Sequence, residues 1–212
     1  MNRESLFKFL KSQKKPDLLK ILNAAFDEMS TAQKYSVFGD AIKRAKPSKV
    51  DGSRFLEKVA QFRDDSLAGV HFAPFDINSK NFSHIPEETN EWFETLNDLL
   101  LGSVQLSREG NHVAAVDSFI ILYALIADME SGEEIVFAHE FGSWMIPGDE
   151  SKYIRSYITS LAATKTPDEF AYITTALVRR DGLMSSTNRV YATAAQIASK
   201  EQRNALDAEL RR

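Results

Sequence analysis

Apolar residues recur with a helical period along most of the chain. Leu18, Leu19, Leu22, Ala25, Phe26 and Met29 fall on one stripe of an α-helix, and Pro16 just ahead suits its first turn. Ser30 and Gln33 then read as a capping box. The helix they open carries Tyr35, Phe38, Ala41, Ile42 and Ala45 and stops before Pro47. Phe55, Leu56, Val59, Phe62 and Leu67 predict the next helix. From about Gly69 to Pro86 the period fails, with two prolines, several Asn and Ser and scattered aromatics. Loops longer than roughly 12–15 residues are uncommon inside compact domains. The pattern therefore suggests a basic N-terminal helical part over 1–68, a linker over 69–86 and a second helical part over 87–212, with the parts free to pack as one body. Asp76 and Asn78 begin like a calcium loop, but Lys80 takes the next ligand position and no glycine follows.

Beyond the loop, Trp92, Phe93, Leu96, Leu99, Leu100 and Ser103 form a clean stripe. The following helix is apolar nearly all round, which predicts a central, buried position, and Gly132 is its natural stop. Its longest unbroken apolar run, Phe119 to Ala127, falls short of the ~18 residues of a membrane span. Tyr153, Ile154, Tyr157, Ile158 and Leu161 mark another helix. Thr166, Pro167 and Glu169 form a strong helix start for Phe170, Ile173, Leu177 and Val178, with Asp181 and Gly182 as the expected end. Val190, Tyr191, Ala194, Ala195 and Ile197 predict one more helix. Ser199 and Gln202 open the last, which carries Ala205, Leu206 and Leu210. The class is all-α, with about eight to ten helices joined by short turns.

The stretch Gly110-Asn111-His112-Val113-Ala114-Ala115-Val116-Asp117-Ser118-Phe119 resembles the turn and second helix of a tetratricopeptide repeat. Ala115 and Phe119 occupy the family's alanine and aromatic places. The resemblance covers one hairpin, about Thr95 to Met129. Ser103 stands where the family has glycine, no proline closes the unit, and no second copy follows at the family's period of about 34 residues. It implies antiparallel helices and a concave peptide-binding face, while the short helices joined by short turns suggest stacked antiparallel hairpins, as in an α-solenoid of tetratricopeptide-like type.

Composition changes the picture in two ways. The chain has 212 residues and no cysteine, which excludes disulfides, thiolate metal sites and cysteine nucleophiles. Charge is segregated: residues 1–63 hold 14 Lys+Arg against 7 Asp+Glu, 64–150 hold 2 against 17, and 151–212 hold 10 against 6. The acidic middle favours a basic protein or peptide as partner. The basic run from Lys8 to Lys58 could attract phosphates. It carries no aromatic-interleaved or helix-turn-helix motif, and the overall charge of −4 opposes nucleic-acid binding. The N-terminal segment lacks the unbroken apolar run of a secretory signal, so a cytoplasmic location without membrane association is expected. No cofactor motif, glycine-rich phosphate loop or nucleophile elbow is present, and oligomeric state is left open.

Residues 132–150 stand apart. Glu133, Glu134, His139 and Glu140 surround Phe137, Phe141 and Trp144, with Gly132, Gly142 and Gly148 between them. One reading makes this an acidic, aromatic-lined binding surface of a non-enzymatic scaffold or inhibitor-type protein, formed by Glu133, Glu134, His139, Glu140, Phe141 and Trp144. A second makes the apolar members a helix end and loop packed onto the preceding helix, with the acids outside. A third uses Glu133, His139 and Glu140 in a metal-dependent hydrolase, since histidine and carboxylates bind divalent metals or move protons. The zinc-protease spacing His-Glu-x-x-His is absent. His71, His84 and His112 read as polar surface positions, with His71 and His84 bracketing the long loop.

Overall fold

The computed structural model describes residues 2–30, 33–34, 36–39, 50–184 and 188–212. The chain divides into two compact units, 1–48 and 49–212. All regular structure among the described residues is helical.

The first unit contains α1 (Arg3–Lys11) and α2 (Lys15–Asp27). The Asn2 side chain caps α1 by accepting from Glu4 N–H, and Pro16 sits in the first turn of α2. The Ser30 box forms as its spacing predicts. Ser30 N–H donates to Gln33 Oε1 at 3.0 Å and Gln33 N–H to Ser30 Oγ at 3.4 Å. Residues 33–34 and 36–39 are helical, and Phe38 meets the Phe26 ring at 5.5 Å. Tyr35, Ala41, Ile42 and Ala45, the rest of that predicted helix, lie outside the described residues. No described residue of this unit is buried, and Leu19 and Leu22 are about half exposed. The stripe is helical as read, yet too short of partners to make a core.

The second unit contains α3 (Gly52–Leu67), α4 (Glu87–Arg108), α5 (His112–Ser131), a single 3₁₀ turn (Ser143–Met145), α6 (Glu150–Thr164), α7 (Pro167–Met184), α8 (Arg189–Ile197) and α9 (Lys200–Leu210). Helix α5 packs against α3, α4 and α6. Helix α4 also meets α6, α6 meets α8, and α7 meets both α8 and α9. One apolar cluster runs through all these helices, from Val59 and Phe62 to Leu206. The stripe on α4 is buried, and Trp92 at its centre is 0% exposed. Its indole N–H donates to Ser66 Oγ at 2.8 Å, and that hydroxyl donates to Phe62 O. This ties α3 to α4 through a satisfied polar pair in an apolar setting.

Compactness places α3 with the second unit, and the 69–86 segment falls inside that unit. Its aromatics explain why. Phe72 and Phe75 both pack edge-on against Phe137, at 5.7 and 5.3 Å. Asn78 and Asn81 fold a local turn through Asn78 N–H to Asn81 Oδ1 and Asn81 Nδ2 to Asp76 O. The segment is long because it crosses the outside of the core.

Helix α4 ends in a Schellman motif. Gly110 N–H donates to Ser107 O, Asn111 N–H to Leu106 O, and Gly110 takes φ +79°. The turn that follows is short, so α4 and α5 form a helical hairpin, and the buried Ala115 and Phe119 pack inside it. By length and composition α5 could cross a membrane, although its longest unbroken apolar run is short. It uses its apolar surface as a core helix: Phe119 stacks on Tyr157 of α6, while Val113 and Ile120 remain exposed. Helix α7 runs past its expected end at Gly182 to Met184, since one glycine costs a helix only about 1 kcal/mol. The Thr166 and Ser199 boxes both form.

Candidate functional site

Residues 132–150 form a connection rather than a helix, with only the 3₁₀ turn at Ser143–Met145. The face-sharing of Glu133 and Glu140 that a helix would give is therefore lost. Ile135, Val136 and Ala138 are buried and hold the start of the segment on the core. Phe137 is fixed by the two phenylalanines of the 69–86 segment, and its backbone pairs with Thr89 Oγ1. Glu133, Glu134, His139 and Glu140, two adjacent pairs on either side of that buried run, are exposed. Phe141, Met145 and Ile146 pack partly against the core, while Trp144 is 68% exposed. The packing reading fits the apolar members of the segment. Its aliphatic residues are core, and its acids and one tryptophan face solvent.

Among the described residues, no three His, Asp or Glu side chains gather closely enough to hold a metal ion. Glu133, His139 and Glu140 accordingly make no such set. The other histidines are in ordinary surroundings. His71 lies against Phe62, His84 against Phe75, and His112 Nδ1 is 3.2 Å from Ser160 Oγ. That last pair resembles a nucleophile with its base. Ser160 is 0% exposed, however, and its hydroxyl donates to Ser107 Oγ, which donates to Ser156 O. The chain of bonds leaves His112 as donor, and it fastens α4, α5 and α6 together out of reach of any substrate.

Beneath Trp144 lies a cavity of about 320 Å³. Leu100 of α4, Tyr123 and Ile126 of α5, and Tyr153 and Ile154 of α6 make its floor and one wall. Leu177 and Arg180 of α7 and Arg189 and Val190 of α8 make the other, and Ser143, Trp144 and Ile146 close over it. Two ion pairs frame the opening. Arg180 bonds Glu130 through Nε and Nη2, both at 3.2 Å, and Arg189 Nη2 is 3.0 Å from Glu150 Oε2. Burial works to raise the Glu130 pKa, but hydrogen bonds from Arg180 and Ser143 outweigh it and hold the carboxyl below the ordinary range. The Tyr123 phenol is pushed well above its ordinary value, chiefly by burial and then by the Glu150 charge.

The loop over the cavity is held by one tight contact. Tyr153 Oη donates to Asn97 Oδ1 at 2.6 Å and reaches Pro147 O at 3.1 Å. Gly148, at φ +102°, passes so close that a Cβ there would collide with the Tyr153 hydroxyl. Sequence reading singled out Trp144 and its acidic neighbours but not Tyr123, Tyr153, Arg180 or Arg189. Those four lie in four helices as ordinary-looking stripe or surface residues, and no local pattern sets them apart.

Compared with known protein families, with curated proteins and with solved structures, the chain matches none.

Proposed function

We propose that this protein is a non-enzymatic binding protein, of scaffold or inhibitor type, that engages a basic peptide or protein segment through residues 132–150. The observation that carries this is Trp144. A tryptophan left 68% exposed costs apolar hydration that a partner would recover, and aromatics of this kind are frequent interface anchors. Around it, exposed Glu133, Glu134 and Glu140 supply negative charge, and no lysine or arginine occurs between Arg108 and Lys152. His139 and Phe141 complete the surface. In this reading the helices of the second unit stack as hairpins, as in an α-solenoid, and serve as a rigid platform. Each packs on a sequence neighbour or on the helix two along, which supports that arrangement. The proposed setting is the cytoplasm, with no membrane or nucleic acid in the role. No observation favours the metal-dependent hydrolase.

The test uses synthetic peptides of alternating lysine and leucine, with glutamate–leucine peptides as the control, titrated calorimetrically in low salt. Basic peptides should bind, and their affinity should fall as salt rises. Trp144→Ala should weaken binding about tenfold or more, and stability should stay within about 0.5 kcal/mol of the parent, as for an exposed side chain. Equal binding of acidic and basic peptides, or no effect of Trp144→Ala, would refute the reading.

A further inference from the structure

We propose that the cavity beneath Trp144 is a small-molecule site for a ligand with an apolar body and one carboxylate, which meets the Tyr123 hydroxyl and Arg180. The inference does not depend on the peptide reading. Ligand sites are typically concave, mostly apolar and about 300–1,000 Å³, with a few convergent polar groups. The present cavity, at about 320 Å³, fits that description.

The polar groups identify the ligand's head. Tyr123 is only 9% exposed, and its hydroxyl has no hydrogen-bond partner among the described residues. The oxygen is not among the sealed, unpaired polar atoms of the core, so it is a hydroxyl open to whatever enters the cavity. Its electrostatic neighbours are Glu150, Arg180 and Tyr153, all on the cavity lining, which places the hydroxyl on the cavity side. The Tyr153 hydroxyl is already committed to Asn97 and Pro147. Arg180 lies over the Tyr123 ring, 5.5 Å from its centroid, and bonds Glu130 through Nε and Nη2, so Nη1 is left for another acceptor. Of the charged side chains on the lining, two are arginines and one is a carboxylate. Each arginine is also paired with a glutamate, so the selectivity comes from hydrogen-bonding role: the guanidinium only donates, and an ammonium head cannot accept from it. A carboxylate accepts from a phenol and a guanidinium together, as the geometry requires.

The remaining lining identifies the body. Leu100, Ile126, Ile154 and Leu177 offer hydrocarbon and no hydrogen bonds, so a sugar or a second charged group would lose its hydration there. A short alkyl or aryl carboxylate satisfies both ends.

The experiment titrates the full chain with octanoate, 1-octanol and octylamine, read by calorimetry and by tryptophan emission. Trp92 is buried and insensitive, whereas Trp144 roofs the cavity and should shift to the blue on filling. Octanoate should bind saturably at one per chain, and octanol and octylamine at least about tenfold more weakly. Tyr123→Phe removes only the hydroxyl and should weaken octanoate about tenfold without changing octanol. Leu177→Trp should fill the space and abolish binding of all three. Circular dichroism checks that each variant is folded, and Tyr123→Phe alone decides if the larger substitution is not. The proposal is overturned if octanoate shows no saturable binding, if octanol matches it, or if Tyr123→Phe leaves the octanoate affinity unchanged. A null octanoate titration would leave lysine–leucine peptide binding untouched, so the two ideas fail separately.

Discussion

Replacing Gly148 with alanine imposes two costs that can be measured apart. The first is conformational. At φ +102° a side chain is strained, at roughly 1–2 kcal/mol. The second is steric. The new Cβ would meet the Tyr153 hydroxyl, which must move away from Asn97 Oδ1 and Pro147 O. Losing a part-buried hydrogen bond costs about 1–2 kcal/mol more. Gly148→Ala should therefore destabilise the second unit by about 2–4 kcal/mol, a fall in Tm of about 5–12 °C for a body of this size. Gly132→Ala is the control, because it has φ +96° with open space around it and carries the conformational cost alone. Tyr153→Phe removes the nearest atom in the way and leaves Asn97 Oδ1, 2.8 Å from the new Cβ, as the smaller obstacle. In that background the cost of Gly148→Ala should drop toward that of Gly132→Ala, giving a coupling of about 1–2 kcal/mol. Urea unfolding followed by tryptophan emission is the assay, since Trp92 and Trp144 both lie in the second unit and report nothing of the first. Equal losses for Gly148→Ala and Gly132→Ala, or no coupling to Tyr153→Phe, would refute the account of how the loop is held.

Four further substitutions probe the core and the cavity's frame. Trp92→Phe, which leaves a void and removes the bond to Ser66, should cost about 2–4 kcal/mol in the same urea assay. Glu130→Gln tests the pair with Arg180, which is part-exposed and so contributes only about 0.5–1 kcal/mol. Because the folded-state pKa of Glu130 is lowered, that contribution is present above the ordinary glutamate range and vanishes as pH falls through the lowered value. The stability gap between parent and Glu130→Gln should thus be seen at pH 7 and close in acid, and a gap that widens in acid would contradict the assignment. Thr174 and Thr175 bury hydroxyls that have no partner among the described residues, so Thr174→Val or Thr175→Val should raise Tm slightly, by up to about 1 kcal/mol of stability.

Legibility in the sequence followed the range of the interaction concerned. The capping boxes at Ser30, Thr166 and Ser199 could be read because each involves residues three apart. The buried stripes on α4 and α6 could be read because burial repeats with the helix turn. How the 69–86 segment packs could not be read locally because its anchors, Phe72 and Phe75, act through Phe137, far along the chain. Residues 132–150 were recognised as unusual, but which of their side chains turn inward was not contained in their spacing, since no regular element repeats there.

By itself the sequence determined an all-helical chain, the starts and most of the ends of its helices, and an acidic middle with one conspicuous tryptophan. These are consequences of neighbours along a helix and of composition. That α3 joins the main core, that the acids of 132–150 face solvent and that Trp144 lines a cavity emerged from the way the helices pack. That cavity exists because Tyr123, Arg180 and Arg189, on three different helices, converge. Contacts such as Glu130 to Arg180, separated by 50 residues, depend on how whole helices dock. Docking is a collective result of packing the core, and no local window of the chain encodes it.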